Sequence, residues 1–338
     1  MLATTVFSLS AQEKHLKNLR QLTHGGDNAE AYFSPDGKSL SFQSNYKAWG
    51  LQCDQIFDMN IAAAEADSNY KPPRVSNGEG RTTCSYYMPN GKDILYASTF
   101  KGSTSCPAEV HVAGKYLWSI YEDFDIFVAD RKGNIKKQLT NSKGYDAEAT
   151  VSPKGDKIVF TSVRSGDLEL WIMDIDGKNQ KQVTNALGYD GGAFFSPDGK
   201  KLVYRASRPS TDEEVKEYKD YLSQGLVAPV NMEIYTCNID GSDVKQITHL
   251  GKANWAPFFH PSGKKIIFSS NHQSDKGGYN FQLWMVNLDG SGLEEITTES
   301  KFNAFPMFSP DGKKLVFSSN RNNGGTRDTN LFIADWQD

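Results

Sequence analysis

Two arginines and two glutamates in this 338-residue sequence stand where most comparable segments carry small or aromatic residues. The comparison is internal, because one segment pattern recurs: YFSPDGKSL at 32–40, YYMPNGKDI at 86–94, TVSPKGDKI at 150–158, FFSPDGKKL at 194–202, FFHPSGKKI at 258–266 and MFSPDGKKL at 307–315. Five positions before the shared proline stand Glu30 and Glu148, whereas the other copies have Cys84, Gly192, Ala256 and Phe305. After the aromatic that follows the turn comes Arg205, where the others place Gln43, Ala97, Thr161, Ser269 and Ser318. Arg81 aligns with Asp27, Tyr145, Tyr189, Ala253 and Phe302. Two cations, two carboxylates and the neighbouring Trp255 would suit a polar ligand or a peptide. The same four charges would also make an internal salt-bridge network.

Other polar residues recur and therefore read as scaffold. Seven positions before each proline stand Asn28, Thr82, Asp146, Asp190, Asn254 and Asn303, a series expected to cap the loop ahead of each segment. Asp146 and Asp190 stay candidates for the ligand site; a divalent metal could sit on Asp146, on Asp190 or on the His24/His249 pair, although Asn141, Asn185 and Thr298 take the histidines' place elsewhere. DIDG at 174–177 resembles the start of a calcium loop, lacks the downstream Glu, and reads as a hairpin turn. No G-x-S-x-G, H-E-x-x-H or P-loop occurs, so no local catalytic signature is present and no cofactor is expected. The four cysteines form no C-x-x-C; Cys237 reads as a buried thiol. In an exported chain Cys84–Cys106 is the expected disulfide, Cys53–Cys106 the second choice, and a thiol nucleophile a third reading.

The elements that position these residues follow from the repeat grammar. Each copy has a short run ending at the turn, where Pro presets φ and Gly takes the left-handed position. A second β-rich run follows (LSFQSN, ILYAST, IVFTSV, LVYRAS, IIFSSN, LVFSSN), then a third (such as LELWIMD and FQLWMVN) and a fourth closing on QLT, RVS, QVT, QIT or EIT. Six four-stranded units predict an all-β, six-bladed β-propeller with antiparallel blades. LRQLT at 19–23 is a fourth-strand sequence and NLFIADW at 330–336 a third-strand one, so the N-terminal strand should close the ring.

FSPDGKKLVFSSNR, followed by LFIAD and elsewhere by QLT, resembles the TolB-like family of propellers with WD40-like (PD40) repeats. The resemblance covers about 19–338 and implies a stand-alone propeller at 12–338, without the additional domain that precedes the propeller in TolB. It also implies a platform that often docks proteins and sometimes hosts enzymes. Oligogalacturonate lyase, for instance, holds a metal with three His and a Gln, a set with no counterpart in this sequence.

Two long second-to-third-strand loops, at 100–124 and 208–231, mark one face as the working one. The first brings Trp118. The second should hold a short amphipathic helix capped by Ser210 or Thr211 and ending near Gly225. Arg81, Arg205, Glu30, Glu148, Asp146, Asp190, Trp255 and Trp118 should gather at the channel mouth on that face.

A net charge of −4 with 23% charged residues gives no reason to expect nucleic acid, and no apolar run approaches the ~20 residues of a membrane span. MLATTVFSLSAQ reads as an export-signal remnant over 1–11, with Ser8 and Ser10 at the small-residue positions of a cleavage site. The expectation is a non-catalytic periplasmic or secreted propeller binding a protein segment or polar ligand at the mouth. The alternatives are a carbohydrate-active or hydrolytic enzyme in the mouth, with or without a divalent metal, and a structural envelope subunit using the blade edges.

Overall fold

The computed structural model describes residues 13–275 and 278–338; the proposed signal remnant at 1–11 lies outside them. Six antiparallel sheets are arranged as six blades. Blades 2 to 6 have four strands each, and blade 1 has three: Asn28–Phe33, Ser39–Ser44 and Gln55–Asn60. Its fourth strand shrinks to one antiparallel bridge between Phe57 and Arg74. The preceding Pro72 and Pro73 have no N–H for a ladder, which accounts for the shortening. Val75 still donates to the Ile56 carbonyl, so the third strand is not left open.

The ring closes as the sequence predicts. Leu16–Gln21 pairs antiparallel with Asn330–Trp336 and supplies the fourth strand of blade 6. Leu16 and Leu22 are buried, and Glu13 pairs with the equally buried Arg321 of the same blade. Between blades lie alternating aromatic and aliphatic side chains, with Phe42, Tyr96, Phe160, Tyr204, Phe268 and Phe317 of the six second strands wholly enclosed.

Each innermost strand carries a bulge at one position. Register slips between Ala29 and Tyr32, Thr83 and Tyr86, Ala147 and Thr150, Gly191 and Phe194, Trp255 and Phe258, and Ala304 and Met307. Within each slip sits a residue with left-handed backbone: Glu30, Cys84, Glu148, Gly192, Ala256 and Phe305, with φ between 47° and 59°. A bulge re-aims the side chain it carries. Repeated six times, it turns one residue per blade toward the axis, and the sequence copies differ in chemistry at these positions.

Candidate functional site at the channel mouth

Both long loops meet over one end of the channel. Trp118–Ser119 of the first pairs with Leu226–Val227 of the second in a two-stranded sheet. The second loop contains the predicted helix, at Asp212–Leu222, with Thr211 and Glu214 forming a reciprocal capping box. Lys115 reaches Glu217 of that helix at 2.7 Å, and Tyr218 is buried against Asp167. The Pro229 carbonyl accepts from Trp255 Nε1 at 3.0 Å, tying the cap to blade 5.

A disulfide fixes the other end of the cap, and it is not the expected one. Cys106 is bonded to Cys53, ahead of the third strand of blade 1, while Cys84 is a free thiol. Cys84 occupies the bulge of blade 2, so its side chain turns into the channel instead of toward the loop. Cys237 is free and buried, as the sequence suggests.

Beneath the cap lies a cavity of about 600 Å³. Arg81, Arg205, Glu30, Glu148, Trp255 and Trp118 all line it; Asp146 and Asp190 do not. These two aspartates start the innermost strands of blades 3 and 4, buried, and receive Arg164 Nη2 at 2.6 Å and Arg208 Nη1 at 2.5 Å. In blade 6 the equivalent Asn303 accepts from Arg321 at 3.0 Å. Asn28 and Asn254 instead donate to loop carbonyls, including those of Gly25 and Gly251, the capping role expected of the series. The repeats held the signal for the ion pairs, since an Arg stands eighteen residues after each Asp in the two blades concerned.

The charges in the cavity are largely paired with each other. Arg205 binds Glu148, and its Nη2 lies 2.5 Å from the Tyr189 hydroxyl. Glu148 also accepts from Thr161 Oγ1 and Tyr189 at 2.7 Å and from the Gly192 amide at 2.8 Å. Burial alone would push the Glu148 carboxyl up; the Arg205 charge and these hydrogen bonds outweigh it and hold it below its ordinary value. Gly192 is required here, because a Cβ at that bulge would overlap the Arg205 guanidinium. Arg81 bridges Asp54 at 2.8 Å and Glu109 of the cap at 2.6 Å. For Arg205, Glu148 and Arg81, the salt-bridge network is what the structure contains.

Glu30 differs. It keeps some surface on the cavity side while protein encloses it elsewhere, and it accepts from the Tyr32 hydroxyl at 3.3 Å and from the Cys84 thiol. Burial, opposed by the Cys84 thiol and aided by the Glu148 charge, raises its pKa to about 7. Cys84 is itself pushed well above the usual thiol range, first by burial and then by the two glutamates, which favours the protonated thiol.

The wall above is aromatic. Trp118 packs against Trp255 with centroids 5.2 Å apart and covers the Arg205 guanidinium at 5.1 Å, and Tyr116 of the cap lies 6.2 Å from Trp255. Sequence comparison passed over Tyr116, Asp54 and Glu109, since the first and last lie in a loop with no repeat to align. His24 and His249 are both exposed, and no group of three His, Cys, Asp or Glu among the described residues is placed to hold a metal ion.

The sequence profile of the TolB beta propeller domain matches residues 119–218 and 222–335, together more than half of the chain. The chain belongs to the TolB β-propeller family. A solved structure assigned as TolB from Agrobacterium tumefaciens superposes with a TM-score of 0.58 at 19% identity, covering 93% of this chain and 91% of that one. TolB from Acinetobacter baumannii gives 0.54 at 19% identity over 92% of this chain and 64% of its own. An oligogalacturonate lyase in complex with manganese gives 0.52 at 12% identity over 93% and 90%. At these identities the likeness is one of fold. In sequence, an uncharacterized protein of Agrobacterium fabrum is 30% identical over 146 residues, 43% of this chain and 37% of its own length. The match therefore spans well under half of that relative.

Proposed function

We propose that this TolB-family propeller is a binding module that takes a segment of a partner protein, or a polar ligand of similar size, into the capped mouth of its channel. The carrying observation is the cavity itself: about 600 Å³, aromatic on its walls, with polar groups converging on its floor. That volume lies within the ~300–1,000 Å³ of small-ligand sites and admits a few side chains. The cap supports the reading further. Two loops longer than turns need are paired with each other, bonded to blade 5 and cross-linked to blade 1, so the mouth is preorganised. The buried Arg205–Glu148 pair then sets the floor and Tyr116, Trp118 and Trp255 offer the contacts. The Cys53–Cys106 disulfide supports placing the protein in an oxidising compartment, periplasmic or extracellular.

The test uses the purified chain as bait in an envelope extract, beside a mouth variant, Tyr116→Ser, and a rim variant, Leu293→Ser. Both side chains are exposed, so both variants should fold. A partner held by the parent and the rim variant but lost by the mouth variant is the expected result. Loss only in the rim variant would assign binding to the blade edges and overturn the reading.

A further inference from the structure

The mouth carries a charge imbalance that specifies its occupant. Five carboxylates line it, from Asp27, Glu30, Asp54, Glu109 and Glu148, against the cations of Arg81, Lys115 and Arg205. Each cation is already committed: Arg205 to Glu148, Arg81 to Asp54 and Glu109, and Lys115 to Glu217 of the helix. Among the described residues, Glu30 on the floor and Asp27 at the exposed rim form no ion pair. Facing Glu30 around the ring are Cys84 of blade 2, Glu148 of blade 3 with Arg205 of blade 4 bound to it, and the uncharged Ala256 and Phe305 of blades 5 and 6; Tyr32 and Tyr86 lie below. Cys84 and Tyr32 offer it hydrogen bonds and the Arg205 charge favours its anion, but Arg205 is paired with Glu148 and none of these groups forms an ion pair with Glu30.

We propose that the mouth binds a basic protein segment, one of whose Lys or Arg side chains enters between the aromatic walls and places its charge on Glu30, with Asp27 drawing the positive segment to the rim. This rests on the reading of the mouth as the binding site. A long basic side chain matches both parts of the cavity, its stem against rings and its head on a carboxylate. The incoming cation takes the place of the proton that burial favours on Glu30. An apolar side chain would leave that carboxyl buried with no ion-pair partner, and an acidic one would add a third like charge beside Glu30 and Glu148. The imbalance therefore discriminates by sign, which the aromatic wall alone cannot do.

The probes are pools of acetylated heptapeptide amides with a fixed central Lys, Arg, norleucine, Gln or Glu and mixed flanking residues. Their retention is measured on the immobilised full chain near neutral pH and low ionic strength, for the parent and for Glu30→Gln, Asp27→Asn and Tyr116→Ser. The expected result is about tenfold greater retention of the Lys and Arg pools than of the norleucine and Glu pools, a difference of about 1.4 kcal/mol. Glu30→Gln should erase that preference, Asp27→Asn should weaken it about two- to threefold, and Tyr116→Ser should lower all pools together. Thermal unfolding of Glu30→Gln checks its fold, and Asp27, being exposed, gives an independent variant. Retention indifferent to the central charge, or a preference unchanged in both carboxylate variants, would overturn the inference; if Tyr116→Ser still lowered retention, the mouth would remain the site. No retention of any pool by the parent would overturn both.

Discussion

Glu30 and Glu148 occupy the same bulge in different blades, and their surroundings drive them apart. Glu30 gains no cation, and burial raises its pKa from 4.5 to about 7. Its neutral form is thus favoured by folding: the contribution is complete below about pH 4.5 and is lost as pH rises through 7. Glu30→Gln, always neutral, should match the parent in acid and exceed its stability above pH 7, by at most about 3 kcal/mol. Denaturant titrations across that range would show the two curves separating upward in pH, and parallel curves would contradict the assignment. Glu148 has the opposite sign, since its carboxyl is held below the ordinary value and its contribution disappears as pH falls. Arg205→Met should cost about 3–5 kcal/mol at neutral pH by leaving Glu148 buried without its partner, and Glu148→Gln should cost a similar amount. Urea unfolding of the two single variants and of the double one would show whether the losses are shared, as a direct pair requires. Comparison of repeats picked out Arg205 and Glu148 as exceptional. That they pair with each other depends on a side chain crossing from blade 4 to blade 3 over the space left by Gly192, a distance no single repeat encodes.

At the scale of elements, loop length and helix chemistry were legible while the cross-link was not. The capping residue announced the helix, with Thr211 of the two candidates taking that place, and both loops read as unusually long. Cys84 is nearer to Cys106 in sequence than Cys53 is, but the left-handed bulge turns it toward Glu30 and away from the loop. Sequence distance carries no information on that turn. The observed bond closes a loop of 53 residues, for which chain entropy gives about 4 kcal/mol of stabilisation. The Cys53→Ser/Cys106→Ser variant should lose about 2–4 kcal/mol. Because the Trp118–Val227 pairing and the bond to Pro229 hold only the far end of the cap, the loss should be local to its near end. Limited proteolysis should cut first between 100 and 115, with the blades intact. Cleavage elsewhere first would mean the bond supports the ring more than the cap.

The whole molecule depends on one seam. Every blade other than the last is continuous in sequence; blade 6 takes its outer strand from Leu16–Gln21, some three hundred residues from its partner Asn330–Trp336. Closing strand and ending strand were readable because the repeat shows which strand type is missing at the end of the series. The polar seal beneath them was not, since it joins Glu13 to Arg321 and His15 to the Gln337 carbonyl through residues that precede the repeat pattern. The Thr23–Asn330 bond, by contrast, is the blade 6 copy of one that Thr140, Thr184, Thr248 and Thr297 make in blades 2 to 5. Deleting residues up to 23 removes the buried Leu16 and Leu22 and strands the buried Arg321 guanidinium, which then keeps Asn303 but no carboxylate. Two buried leucines at about 2 kcal/mol each, together with an unpaired buried charge, amount to a large share of the stability of most domains. The deletion also opens the edge of a seven-residue strand whose first five residues are buried. Such a chain should show a markedly lower unfolding midpoint and should associate through that edge, visible as concentration-dependent elution in size-exclusion chromatography. Adding back a synthetic peptide of residues 12–23 should restore the monomer if the seam acts by strand pairing. A truncated chain that stays monomeric and unfolds at the parental midpoint would show instead that the remaining blades hold the ring without it.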